Sequence, residues 1–496
     1  MEHDLTPVEL RSASELLQLL RARRLSSVEL LQLYLARVEK YNPQFNVVVT
    51  LDAEGAMQAA RRADEALAHG DQVGPLHGLP MTLKDAWEAV GMTATCGFAH
   101  LAQHRPTRDA DAVARLREAG AIFFGKTNVP IGAGDHQSYN SLYGQSNNPW
   151  NTERTVGGSS GGAAGAVAAG LTALEFGSDI GGSIRCPAHF CGVYGHKPSY
   201  GIVPMRGHIP PPPGGLAGIE LGVAGPIARS ALDLELALDL LVSPAELERT
   251  AWEIRIPPGR HERLSDFRVA LWADSKTLGV DSRCLQVFEE YAADLRRAGV
   301  QVDALARPDF DPLEIYRLYI DVLFSIFSGG MPAEALKAFA EAAVGMPPGV
   351  ESYPTRIARA IKMSHHEFMH HAERREHLFR VWRRFFENFD VMLCPVMPTV
   401  AFAHDHSGDD RGHVAQYQRT MLVDGVQRPY LDGLQWPGIV TVANLPATAV
   451  PTRRFIDGLP VGLQVVGPYL EDRTPLRFAQ LVEREFGGFM PPPAVL

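Results

Sequence analysis

The sequence predicts an α/β fold: a large mixed β-sheet flanked by helices on both faces, with a mostly helical insertion. Three observations point to it. Short apolar runs between glycines, prolines and asparagines fill residues 74–232, as buried strands between turns do. These runs alternate with helical stretches, as at Ala110–Phe124, where a helix, Gly120 and the short strand Ala121–Phe124 follow in order. Residues 245–385 then turn helix-rich and more charged before apolar strands return.

Taken in order, residues 1–73 form an outer helical layer of the main domain. Ser12-x-x-Glu15 and Ser26-x-x-Glu29 are capping boxes, in which a hydroxyl and a carboxylate satisfy the orphan amides of a first turn. They open two helices over 12–40, the second continued by Leu31, Leu35 and Val38 at helical spacing. A third helix runs from Ala53 to His69, with Gly70 as its C-cap. Residues 74–244 form the core of the domain. There Leu171–Phe176 reads as a buried strand, and Gly207–Gly215, with its run of prolines, as a rigid surface loop. Asn151–Val156 is too polar to read as a strand. Within the insertion, 245–385, the strand Phe267–Trp272, the helix Arg283–Arg297 and the strand Val300–Leu305 interrupt other helices. Residues 386–496 return to the core. They carry the strand Asp390–Pro395, a tight turn at Asp457-Gly458 and the strand Val461–Val466. A last helix, capped by Thr474-Pro475, ends at Gly487.

Composition narrows the function. The chain has 496 residues, 46% of them hydrophobic, enough for a sizeable core. Its formal net charge of −10 speaks against nucleic acid or an anionic membrane as partner, since both attract cationic surfaces. Five scattered cysteines without C-x-x-C spacing fit a reducing compartment better than a disulfide framework. The start, Met1-Glu2-His3-Asp4, is polar, and no apolar run reaches the ~18 residues of a membrane helix. A cytoplasmic protein is expected, with a homodimer as an open possibility.

Two glycine- and serine-rich segments carry the chemistry. In Gly177-Ser178-Asp179-Ile180-Gly181-Gly182-Ser183-Ile184-Arg185, paired glycines precede a serine. Such a turn presents the hydroxyl with little cover and lets backbone N–H groups converge beside it, as an acyl-transfer site requires. Asp179 and Arg185 flank the turn with opposite charges. In Gly157-Gly158-Ser159-Ser160-Gly161-Gly162 a second hydroxyl is placed to relay a proton, ahead of small residues suited to a closely packed helix. The base comes from elsewhere. Lys84 ends the apolar run Leu79-Pro80-Met81-Thr82-Leu83, and a buried lysine loses its charge easily enough to act as a general base.

These segments resemble the amidase-signature family. The Gly-Gly-Ser-Ser-Gly-Gly loop, the Gly-Ser-Asp-Ile-Gly-Gly-Ser-Ile-Arg run and the Pro-Met-Thr-Leu-Lys-Asp segment all match it, and Lys84, Ser159 and Ser183 stand at its spacings. The likeness is strong over about 74–232, thinner over 390–487 and weak over 245–385. It implies the amidase-signature fold and hydrolysis of a carbon–nitrogen bond through an acyl-enzyme, without metal or organic cofactor. It further implies Ser183 as nucleophile, Ser159 after a cis peptide bond as proton shuttle, and Lys84 as base. The N–H groups of Ile180, Gly181, Gly182 and Ser183 would form the oxyanion hole, with Ser160, Asp179 and Arg185 in support. One departure follows Pro130, where the small residues Gly132, Ala133 and Gly134 suggest a roomier pocket. Ala133, Gly134 and Asp135 become candidate substrate contacts there, with Asp135 or His136 offering a polar group. The substrate would be a small amide. A carbamate or ester hydrolase, the glutaminase subunit of a tRNA-dependent amidotransferase and an inactive binding protein on the same scaffold remain as alternatives.

Two further motifs compete. Gly157-x-Ser159-x-Gly161 fits the nucleophile elbow of α/β-hydrolases, which needs a strand before it. His366-Glu367-Phe368-Met369-His370 fits the zinc motif H-E-x-x-H, but it lies in a charged, histidine-rich helix and reads as a polar face. It has no obvious third ligand beyond what Ala403-His404-Asp405-His406 could offer.

Overall fold

A computed structural model describes residues 6–273, 277–331, 333–342, 344, 352–408 and 418–496; the polar start Met1–Asp4 lies outside these. The first helices, α1 (Ala13–Arg21) and α2 (Ser27–Phe45), begin at Ser12 and Ser26 with both capping boxes formed. Strand β1 (Val48–Leu51) and helix α3 (Ala53–His69) follow, and α3 ends at Gly70 in the left-handed region. Next come β2 (Pro80–Lys84), α4 (Asp111–Glu118), β3 (Ile122–Thr127), α5 (Gly161–Ala168), β4 (Leu174–Asp179) and α6 (Arg185–Cys191). β5 (Tyr194–Lys197), β6 (Val223–Ala228), β7 (Arg268–Leu271), α7 (Ser282–Arg297) and β8 (Gln301–Asp303) continue the chain. Helices α8 (Pro312–Ser328) and α9 (His365–Asn388), then β9 (Val391–Pro395), β10 (Ala447–Ile456) and β11 (Leu459–Val466), lead to the last helix, α10 (Arg473–Phe486).

The large sheet runs β8-β7-β9-β11-β10-β5-β6-β4. It is mixed: β7 pairs parallel with β8 and β9, and the other pairs are antiparallel. The small sheet β1-β3-β2 lies alongside, with β2 packed against the edge strand β4. Strands β2, β4, β9 and β11 are buried along their whole length, so both their faces are covered, and the polar residues they carry, such as Lys84, Glu175, Asp179 and Gln464, are buried with them. The five cysteines are free and buried.

Four expectations change. Strands β7 and β8 belong to the large sheet, so a sheet edge and a helical segment share the stretch 245–385 expected as an insertion. Asn151–Thr155 does form a strand, paired with Asn147–Asn148 in a two-stranded ribbon; its side chains stay largely outside the core, so polarity does not oppose it. The last helix is N-capped by Asp472 rather than Thr474. The loop read as superficial begins buried, with His208 and Ile209 inside.

Candidate active site

Lys84 closes β2 fully buried, with three hydroxyls around its amine. Its Nζ lies 2.7 Å from Ser159 Oγ, 3.0 Å from Ser160 Oγ and 2.9 Å from Ser178 Oγ. Burial drives its pKa down to about 8, against the weaker pull of Cys96, Asp179 and Glu175. Roughly a tenth of the amine is then neutral at pH 7, far more than for an ordinary lysine.

Ser159 and Ser160 sit in the turn leading into α5, and the Gly158–Ser159 peptide is cis. Ser160 N donates to Ser183 O at 3.0 Å, which docks this loop onto the second one. Ser183 ends a turn after β4. Gly182 there has φ +96°, a left-handed value that favours glycine. A Cβ on Gly181 would lie 2.8 Å from Leu434 Cδ2 and 2.9 Å from Tyr319 Oη. Ser183 lines a cavity, whereas Ser159, though flanked by the strand and helix an elbow needs, does not line it and turns its hydroxyl to Lys84. Among the described residues the Ser183 hydroxyl has no hydrogen-bond partner; its link to Ser159 runs through the backbone of Ser160.

Asp179 and Arg185 brace the turn as a fully buried bidentate pair, Nη2 to Oδ1 at 2.9 Å and Nε to Oδ2 at 3.0 Å. Arg185 also donates to Gln464 and Thr441, tying the turn to the far side of the core. Burial raises the Asp179 carboxyl, but the Arg185 charge and hydrogen bonds outweigh it and hold the pKa at about 2. Of the four amides expected to face an oxyanion, Gly182 N is instead given to Asp179 Oδ1 at 2.8 Å, and Gly182 does not line the cavity. The N–H groups of Ile180, Gly181 and Ser183 have no acceptor among the described residues, and all three residues line the cavity.

That cavity is lined by Ala133, Gly134 and His136 and by the apolar side chains Leu323, Phe324, Phe327, Leu431 and Leu434. Ala133 and Gly134 thus line the cavity that Ser183 also lines. Asp135 lines the cavity, but its carboxylate is already occupied. Arg419 Nη1 lies 3.1 Å from Oδ2 and Tyr430 Oη donates to Oδ1, with the ion pair almost fully buried. It holds the cavity wall rather than offering a free charge. His136 is buried, and burial lowers its pKa to about 4, leaving a neutral ring.

Sequence reasoning missed four residues. Ser178 lies inside the second motif, and its hydroxyl reaches Lys84. Tyr319 of α8 donates its hydroxyl to Ile180 O at 2.9 Å. Arg419 and His208 had no motif to mark them. In the H-E-x-x-H segment, Glu367 is spent on the capping box with Ser364, and His366 and His370 are exposed on α9.

A family model described as Amidase matches residues 29–476. The chain belongs to the amidase family. It is a hydrolase of carbon–nitrogen bonds in amides other than peptides. A glutamyl-tRNA(Gln) amidotransferase subunit from Roseiflexus sp. (strain RS-1) is 32% identical, over 97% of this chain and 96% of its own length. Its counterpart from Moorella thermoacetica is also 32% identical, over 95% and 96%. A solved structure described as an amidase has TM-score 0.75 at 28% identity, covering 96% of this chain and all of its own. A bacterial aryl acylamidase of the amidase-signature family shares the fold, with TM-score 0.80 at 22% identity over 97% of each chain.

Proposed function

We propose that this amidase works through Ser183, Ser159 and Lys84 by way of an acyl-enzyme. Ser183 Oγ attacks the amide carbonyl, its proton passes to Ser159, and the Ser159 proton passes to the neutral amine of Lys84. The negative oxygen that forms rests against the N–H groups of Ile180, Gly181 and Ser183; one such donor is typically worth ~3 kcal/mol. Collapse breaks the C–N bond, and the same path run backwards protonates the leaving amine. Water then attacks the ester and frees the acid. No metal or organic cofactor takes part. The observation that carries this reading is a wholly buried lysine amine within 2.7 Å of a serine hydroxyl, beside a turn with three unspent amides.

The cavity wall favours an amide whose group at this site is apolar or aromatic. Among the described residues that line it, the one carboxylate, Asp135, is neutralised by Arg419, and the imidazole of His136 is uncharged. A small-molecule substrate follows, without nucleic acid or membrane; no described helix is long and apolar enough to cross one. A carbamate or ester of the same shape would suit the same acyl chemistry.

The likeness to the glutamyl-tRNA(Gln) amidotransferase proteins favours a second reading, release of ammonia from glutamine within a multi-subunit enzyme. Glutamine carries an α-carboxylate and an α-ammonium that both need partners, and among the described residues this wall offers no free charge for either. The purified chain should therefore cleave matched aryl anilides with no partner present and leave glutamine intact. Glutamine hydrolysis with silent anilides reverses the order of the two readings.

A further inference from the structure

The hydrogens around Lys84 can be counted. A neutral primary amine has two N–H donors and one lone pair. To take the Ser159 proton, the lone pair has to face Ser159 Oγ, and both N–H groups have to go to Ser160 and Ser178. Ser160 Oγ lies 3.3 Å from Ser178 O, a carbonyl that only accepts, so the Ser160 hydrogen points there and its oxygen is left to accept from Lys84. Ser178 needs an acceptor of its own. His208 supplies one: its Nε2 lies 2.8 Å from Ser178 Oγ, while its Nδ1 lies 2.8 Å from Pro210 O. Because that carbonyl accepts, Nδ1 carries the hydrogen, and in the neutral ring Nε2 is a bare lone pair.

We propose that His208 is a positioning residue for the Lys84 base. Held in one tautomer by Pro210, it turns the Ser178 hydroxyl away from Lys84 and leaves the amine's lone pair to Ser159. The inference rests on the triad reading above. Burial first, and the Lys84 charge second, lower the His208 pKa to about 3, so the ring stays neutral. Trp87 meets it edge-on at 4.7 Å and fixes its plane. Without Nε2, the Ser178 hydrogen is free to swing to Lys84 and compete with Ser159 for the single lone pair.

His208→Phe keeps a ring against Trp87 and removes the acceptor. The expected result is a fall in kcat of about tenfold, part of the 10²–10⁴ a general base contributes. KM should stay within about twofold. His208→Gln, whose side-chain oxygen can accept from Ser178, should recover most of the rate, and it serves as the test if the phenylalanine variant does not fold. The deciding comparison is made in a Ser178→Ala background, where the competing hydroxyl is gone and His208→Phe should have no further effect on kcat. An equal fall in both backgrounds, a change confined to KM, an unchanged kcat, or a glutamine variant as slow as the phenylalanine one overturns the proposal. Lys84→Met, measured alongside, separates the two levels. If it keeps the native kcat, the base assignment fails. If it loses kcat while the His208 effect ignores Ser178, only the role of His208 fails.

Discussion

Tyr319→Phe removes one oxygen from the cavity wall and leaves the ring packed. That oxygen donates to Ile180 O at 2.9 Å. The peptide unit is planar and trans, so the Ile180 carbonyl and the Gly181 N–H point in opposite directions. Holding the carbonyl on Tyr319 therefore fixes where the Gly181 N–H is aimed and polarises it as a donor. Complete loss of an oxyanion donor costs ~3 kcal/mol. Here the donor survives and only its brace goes, so the loss should be that of one net hydrogen bond, about 1 to 1.5 kcal/mol. That corresponds to a kcat lower by roughly five- to twelvefold. The assay is steady-state cleavage of an anilide, together with inhibition by a trifluoromethyl ketone, which forms the tetrahedral oxyanion, and by the carboxylic acid product, which does not. The ketone should weaken in step with kcat while the product binds unchanged. Equal weakening of both inhibitors, or a rise in KM alone, would mean that Tyr319 shapes the cavity and does not aim the peptide.

Two other outcomes follow from the geometry. Arg419→Met leaves the Asp135 carboxylate buried without its cation, a change that typically costs 3–5 kcal/mol. The urea midpoint should drop, and adding Asp135→Asn should restore part of it, because the uncompensated charge is then gone; no recovery would mean that packing rather than charge is lost. His366→Ala with His370→Ala should leave anilide turnover unchanged, since Glu367 is spent on its helix cap and the histidines face outward. A loss of turnover in that double variant would reopen the metal reading.

Much of the site was legible because its parts are local in sequence. The glycines around Ser159 and Ser183 announce backbone that other residues cannot adopt, and Lys84 ends an apolar strand that has to be buried. The helix starts at Ser12 and Ser26 were equally plain, since a capping box is closed within four residues. What escaped was non-local. Tyr319 braces the turn from 139 residues away, and Arg419 meets Asp135 across 284. Neither sits in a local pattern that could announce the partner. Gly182 misled for a related reason: its amide is adjacent to Ser183, yet Asp179, three residues earlier, claims it first. Strands β7 and β8 read correctly as strands, but periodicity carries no information about which sheet a strand joins.

The proposed mechanism stands on a neutral buried amine drawing the Ser183 proton away through Ser159. The most direct test is the rate of covalent labelling by a fluorophosphonate, followed across pH in the native enzyme and in Lys84→Met, with the adduct located by mass spectrometry. Raising the pH through the lowered lysine pKa uncovers the base, so native labelling should climb to a plateau with a midpoint near 8, on Ser183 alone. The Lys84→Met enzyme should be slower by about 10² or more and lack that midpoint. An adduct on Ser159, or a Lys84→Met profile that overlays the native one, contradicts the mechanism.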